Sequence, residues 1–505
     1  MSAVCSRSRC WSLAHGIAQA GTLYLARLSG ANENPANAST WTGTGVLILN
    51  DPENSAVITA THNIDVPVTG GHIHRGTATA NGPVIFPFPA PISPVGPLTW
   101  AIPAADVDNL KNQGLYMNFH TAAFPGGVIR STLFRALLGP AAMTPLQTRV
   151  ANVLDMSAGY SADLDSILVQ ANLAPVATQA MVLQDLSGGT LHVQTRQQLE
   201  AMGIFQSTVF AHFDGTRATA SDGGHLTGFV RVGDEFGERD ASENQLASSV
   251  THPFVLAGLE HQVGPSTRLG GTLGYATGKD EFESGANGAD AGETEVKTTA
   301  LSGFVSFGLG DSGLTVDAMA GYGWSSIDTT RHLTSLARTA MGSPDGTVWS
   351  GALRATQSFA AGNNSRLIPY FLADIQKAEA DAYSETGAGA ANLVVKDREM
   401  WGSALEAGAT FVVKPAAASG LFFRLQAGWR YLLDNGGSNS GVRFEGSPLY
   451  FSTYSDGLER NSLRLELAAD WVLGNGGTLT LGYRGLLSSG SQSLHTLEAG
   501  YSMKF

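Results

Sequence analysis

The chain ends on SQSLHTLEAGYSMKF, Ser491–Phe505, and the alternation in this stretch decides the fold. Counting back by twos from Phe505 gives Met503, Tyr501, Ala499, Leu497 and His495. The set between them is Lys504, Ser502, Gly500, Glu498 and Thr496. A strand points successive side chains to opposite faces, so this segment has one mainly apolar face and one polar face. A strand in the wall of a bacterial outer-membrane barrel needs that arrangement, with lipid outside and a polar lumen inside. No apolar run in the sequence is long enough for a transmembrane helix.

Working back from this end, the sequence from Gly224 onward reads as about a dozen strands of the same kind. In Phe423–Tyr431, Phe423, Leu425, Ala427, Trp429 and Tyr431 share one face, and Arg424, Gln426, Gly428 and Arg430 share the other. Leu463–Trp471 repeats the pattern, with Arg464, Glu466, Ala468 and Asp470 opposing leucines and Trp471. Short turns are expected at 263–266, 310–313, 362–365, 416–420 and 474–477. Longer polar loops are expected at 237–249, 284–292, 331–346, 384–392 and 434–447. Such short–long alternation is that of periplasmic turns and extracellular loops. The sheet must then close, because lipid cannot satisfy an open strand edge. The lumen-facing Arg424, Arg430, Arg464, Glu466 and Asp470 are expected to form a salt-bridged interior.

The composition agrees. Of 505 residues 61 are glycine, only 14% are charged, and the formal charge is −13. With no basic stripe to neutralise phosphates, a nucleic-acid partner is excluded. Both cysteines, Cys5 and Cys10, lie at the N-terminus, where residues 1–20 read as a secretory leader. Arg7 and Arg9 form its basic region, Trp11–Ile17 a short apolar stretch and Ala18-Gln19-Ala20 the cleavage site. Cleavage there leaves a mature chain without cysteine, as suits passage through an oxidising periplasm.

Ahead of the barrel, Thr144-Pro145-Leu146-Gln147 carries a cap residue, a proline at the first helical position and a capping-box glutamine. Val150, Val153 and Leu154 follow at helical spacing. A second helix is expected over Thr190–Phe213, rich in small and polar residues, and is read as the occupant of a wet pore. The succession Met143-Thr144-Pro145-Leu146-Gln147, Leu154-Asp155, Leu186-Ser187-Gly188-Gly189 and the alternating barrel ending in Phe505 resembles the C-terminal translocator of type V autotransporters. The resemblance covers roughly residues 140–505. It implies a twelve-stranded barrel with a helix in its lumen, a passenger outside the cell, and a C-terminal strand read by the barrel-assembly machinery.

Residues 21–136 form a separate unit of short β-runs, at Thr22–Leu28, Gly43–Leu49, Ser55–His62, Leu115–His120 and Gly127–Phe134. The blocks LSGANENP (28–35), GHIHRG (71–76), NGPV (81–84), LYMNFHT (115–121) and GGVIR (126–130) resemble, in order, the CHRD domain of chordin and of many bacterial secreted proteins. That resemblance implies a secreted β-sandwich and names no reaction. It departs at Arg130-Ser131, where the family usually has arginine-glycine, and in a proline-rich insert over Pro87–Pro97, which is expected to lengthen a loop without disturbing the core.

Chemistry in this unit points to three histidines. His72 and His74, spaced i,i+2, share a strand face, and His120 ends a later strand. Converging imidazoles suit zinc or copper, with His62 or Glu33 as an outside candidate. A His-x-His strand before an Asn-Gly loop also faintly resembles copper/zinc superoxide dismutase. The competing role for these histidines is to bond loops and the Arg130 region, fixing the rim of the sandwich. Gly310-Asp311-Ser312-Gly313 spells a protease-like string on a predicted turn, without a base or an oxyanion hole. No G-x-S-x-G elbow, P-loop or C-x-x-C is present.

The sequence therefore predicts a mainly β chain: leader 1–20, CHRD-like antiparallel β-sandwich passenger 21–136, helical linker and pore helix 137–223, and transmembrane barrel 224–505. Its expected place is the bacterial outer membrane, with outer-membrane lipid, the barrel-assembly machinery and an extracellular ligand as partners. The passenger is expected at the cell surface as a binding or adhesion module, with no catalytic residue. The alternative is a metal-dependent, superoxide-dismutase-like or other enzyme using His72, His74 and His120.

Overall fold

The computed structural model describes residues 21–218, 226–264, 266–284, 289–415, 420–455, 457–474, 476–488, 490 and 492–505. The leader with Cys5 and Cys10, the linker end at 219–225, and parts of the turns and loops expected at 263–266, 284–292, 416–420 and 474–477 lie outside these residues. The chain divides into two compact units. One holds residues up to Ala141 with Ala151–Gln179 and Gly446–Leu449, and the other holds the rest.

The first unit is built on nine antiparallel strands: β1 (Gly21–Ser29), β2 (Thr42–Asn50), β3 (Ala56–His62), β4 (Val68–Arg75), β5 (Val84–Pro87), β6 (Val95–Trp100), β7 (Leu115–Thr121), β8 (Ile129–Thr132) and β9 (Phe134–Arg135). They hydrogen-bond as one sheet in the order β5-β4-β7-β8-β1-β2-β3-β6, with β9 on β1. The sandwich layers are two parts of this one sheet, because both edges deliver side chains to one core. Phe86 of β5 lies 5.3 Å from Trp100 of β6, ring to ring, and both pack with Ile58, Ile73, Met117 and Phe119. Each side chain as large as Phe119, fully buried, is worth about 1.5–3 kcal/mol as an upper estimate. The proline-rich insert does more than lengthen a loop. It supplies the start of β6, and its Phe88 and Val95 are buried in the core.

The second unit is a closed barrel. Twelve strands of 12 to 20 residues run from Leu226–Arg239 to Gln492–Lys504. First and last strands pair antiparallel from Thr227↔Lys504 to Arg239↔Gln492, so no edge is left for lipid. Alternation sets the two faces: Phe423, Leu425, Trp429 and Tyr431 are exposed on the wall, while Arg424 and Gln426 are buried inside. Gly310–Ser312 forms only a short turn between two strands.

A 26-residue helix, Val193–Ala218, belongs to the same unit and fills much of the lumen. The expectation of a wet, polar plug is corrected here. Phe205, Val209, Phe210 and Phe213 pack against inward Phe229, Phe254, Phe304 and Tyr370, making an apolar layer across the lumen. Charges flank that layer. Arg354 donates to both oxygens of Asp214 on the helix at 2.9 Å and to Asp317 on the wall. Arg424 pairs with Asp470 at 2.6 Å and Glu466 at 3.3 Å, Arg430 with Asp374 at 2.6 Å, and Arg464 with Glu406 at 3.4 Å. A cavity of about 140 Å³ remains beside the helix, lined by Glu200, Glu235, Arg430, Arg464 and Arg484 among others.

The loops expected at 384–392 and 434–447 are also more ordered than their polarity implies. Short strands at Tyr383–Ser384, Leu393–Val395, Asn439–Phe444 and Tyr450–Tyr454 make a four-stranded sheet that buries Leu393, Val442, Phe444 and Phe451. Helices Ala162–Leu173 and Val176–Asp185 lie within the expected helical linker, although the sequence reading does not place them individually. Among the described residues no helix is long and apolar enough to cross a membrane.

Candidate metal centre

Strands β4 and β7 lie side by side with Gly70 opposite His120, His72 opposite Asn118, and His74 opposite Tyr116. Ile73, Met117 and Phe119 point to the core, so the pleat sends His72, His74, Asn118 and His120 to the opposite face. That face is roofed by the segment 76–83. Arg130, fully buried, donates to Asn81 Oδ1 at 2.5 Å and to the carbonyls of Thr77 and Ala80 at 2.6 and 3.1 Å. Its guanidinium lies 3.5 Å from the Tyr116 ring centroid, and His74 stacks on that ring at 4.7 Å.

Under this roof the three histidines converge. One ring nitrogen from each of His72, His74 and His120 lies within 4.8 Å of the others. Zinc–imidazole bonds of about 2.0–2.1 Å place tetrahedral ligands about 3.4 Å apart, so inward movements of under about 1 Å complete the set.

Hydrogen bonds fix the tautomers. His74 Nδ1 lies 2.9 Å from the Gly82 carbonyl, and His120 Nδ1 lies 3.0 Å from the Pro125 carbonyl. A carbonyl only accepts, so each Nδ1 carries the proton and each Nε2 of the neutral ring presents a lone pair. His74 Nε2 is buried with no partner, as is His72 Nδ1. His120 Nε2 faces Asn118 Oδ1 at 3.1 Å, a second acceptor. Rotating that carboxamide offers a donor to His120 or to His74, which Asn118 also reaches, and still leaves the buried His72 Nδ1 bare. The three imidazoles form a group that could hold a cation.

Protons are poor candidates for that cation. Burial, then the neighbouring His120 and His74, push the His72 pKa down to about 4. Burial chiefly lowers His74, against the help of its Gly82 bond, and burial also lowers His120. The carbonyl bonds to Nδ1 are the outer-shell contacts that orient metal-ligating histidines.

The outside candidates stay outside. His62 Nε2 bonds the Pro91 carbonyl at 3.0 Å and its Nδ1 accepts from the Ile64 amide. Glu33 is buried beside Gly127, where a Cβ would meet its carboxylate at 2.5 Å. Burial raises its pKa to about 7, opposed by Arg130. For His74 and His120 the rim role and the ligand role are thus held by different atoms of the same ring, Nδ1 for the loops and Nε2 for the centre, while His72 has its Nδ1 buried and unpartnered. Sequence reasoning missed Asn118, though Asn-x-His on β7 repeats the spacing of His-x-His on β4.

The autotransporter β-domain family model matches residues 228–484, just over half the chain. The chain belongs to the autotransporter family. The CHRD domain model matches residues 24–133 of this autotransporter, the part that carries the histidines. Among solved structures it is similar to the translocator domain of the autotransporter NalP from Neisseria meningitidis (16% identity, 59% of this chain, 98% of that one, TM-score 0.46). It is similar as well to the β-domain of the Bordetella autotransporter BrkA (16%, 56% and 100%, 0.40) and to the transport unit of AIDA-I from Escherichia coli (12%, 58% and 97%, 0.40). No curated protein matches the chain. The autotransporter sits in the bacterial outer membrane, in contact with its lipid, and its passenger is exported to the cell surface.

Proposed function

We propose that this autotransporter displays a metal-binding passenger, with His72, His74 and His120 holding zinc or copper in a module that binds partners at the cell surface. The observation that carries the reading is the convergence of one ring nitrogen from each of His72, His74 and His120 within 4.8 Å, with His72 Nδ1 and His74 Nε2 buried and without a hydrogen-bond partner. Three imidazoles suit zinc and copper, and no Cys, Asp or Glu joins the group among the described residues. Binding rather than turnover is the passenger's work. In the same reading the barrel-assembly machinery takes the final strand by its exposed Phe505, and the passenger stays displayed outside the cell.

Two experiments test this. Protease added to intact cells should remove residues 21–136 and spare the barrel; a passenger cut only after lysis would refute display. Elemental analysis of the full chain, purified without a metal-affinity tag, should give one zinc or copper per chain, lost in His72→Ala/His74→Ala. Folded, metal-free protein would return the histidines to a purely structural rim. Superoxide dismutation by the metal-loaded chain would favour the enzyme alternative.

A further inference from the structure

The three nitrogens leave one side of the centre without a protein donor. His74 is buried beneath the roof, but His72 and His120 are only partly buried. The residue between them on that side is Gly70, on the same face of β4 as His72 and directly opposite His120. A Cβ at Gly70 would lie 2.9 Å from His72 Cε1, 3.4 Å from its Nε2 and 3.8 Å from His120 Cδ2. Any side chain there would cover the rings, so the glycine keeps their approach clear. Asn118 reaches the centre from the sheet and leaves this approach empty even if its oxygen coordinates. Sites that serve only structure fill four positions with protein atoms, whereas three histidines leave one for an exchangeable ligand, and zinc accepts a fifth.

Charge selects what enters. Three neutral imidazoles cancel none of a divalent ion's charge. Arg130 is a fixed cation whose field reaches His74. No carboxylate stands within the group. The local field at a loaded centre is therefore strongly positive, and an anion gains most by entering.

We infer that the centre, once loaded with metal, keeps a solvent-facing position over Gly70 that takes a carboxylate ligand, either a small free acid or an acidic side chain of a partner peptide. The inference rests on the metal reading above. Entry is a ligand exchange: the carboxylate oxygen forms the bond, the solvent ligand leaves, and no electron is transferred.

The test uses the full chain in detergent micelles loaded with copper(II). Sodium acetate is titrated against the visible and electron-spin-resonance spectra, alongside a terminally blocked aspartyl peptide and its asparaginyl counterpart. The expected result is a saturable spectral change with acetate and the aspartyl peptide, absent with the asparaginyl peptide and in His72→Ala/His74→Ala. Gly70→Val should keep the copper stoichiometry and weaken the response at least about tenfold, with Gly70→Ala between. A response to the peptide at lower concentration than to acetate assigns a protein partner; the reverse assigns a small acid. Stoichiometric copper whose spectra ignore both carboxylates overturns the inference and leaves the metal reading standing. Copper that fails to bind removes both.

Discussion

Lowering the pH should separate this centre from an ordinary cluster of three histidines. Metal binds neutral imidazole. A histidine of pKa about 6.5 falls from about nine-tenths neutral at pH 7.5 to about one-tenth at pH 5.5, so three of them lose about 1000-fold in apparent affinity. His72, with its pKa near 4, is still about 97% neutral at pH 5.5 and contributes almost nothing to the loss. His74 and His120 are also lowered, so each contributes less than about tenfold. The expected loss is under about 100-fold, with fewer than two protons taken up as metal leaves. Zinc competition with a chromogenic chelator at stepped pH, on the full chain, measures it. A 1000-fold fall with three protons bound would show that the rings titrate as exposed histidines, and the buried lone-pair argument would fail. The sign for folding is the same. Histidines lowered in the native state bind fewer protons than in the unfolded chain, so their stabilising contribution is complete above about pH 6.5 and is lost toward pH 4.

Glu33 should act oppositely. Its native pKa of about 7 exceeds the ordinary carboxylate value, so its contribution is complete below about pH 4.5 and is lost as pH rises through 7. Glu33→Gln should therefore stabilise the passenger at pH 8, by up to about 3 kcal/mol, and be near neutral at pH 4; a destabilised variant at pH 8 in chemical denaturation would refute the assignment. Arg130→Ala removes three hydrogen bonds to the roof and should cost about 2–4 kcal/mol in the same assay while weakening metal binding. Unchanged metal affinity would mean that the roof does not orient His74. In the barrel, Asp214→Ala removes the helix partner of buried Arg354, which keeps Asp317 on the wall, at a cost of about 1.5–3 kcal/mol. This should lower the temperature at which the folded form disappears on detergent gels, and an unshifted transition would deny the pair its role in anchoring the helix.

The barrel was legible because lipid imposes one rule on every strand. Phe423, Leu425, Trp429 and Tyr431 must face hydrocarbon while Arg424 and Arg430 must not, and a period of two writes that into the sequence. The pore helix was legible in position and misjudged in character. Phe205, Phe210 and Phe213 are too sparse to mark a helix face, and they become a core only because Phe229, Phe254 and Phe304 meet them across the lumen. The strands around the proline-rich insert were hidden for a similar reason, since Phe88 and Val95 find their partners on distant strands.

His72 and His74 alone promise a shared face, because strand geometry is local. That much the sequence determined by itself, together with the alternation that closes the barrel. Only the tertiary structure decided that His120, forty-odd residues away, falls beside them, for that depends on the register that sets Gly70 against His120. Likewise only the folded loops, placing the Gly82 and Pro125 carbonyls on the two Nδ1 atoms, turn the Nε2 lone pairs inward. A tautomer answers to hydrogen-bond partners in space, and no spacing along the chain records where those partners stand.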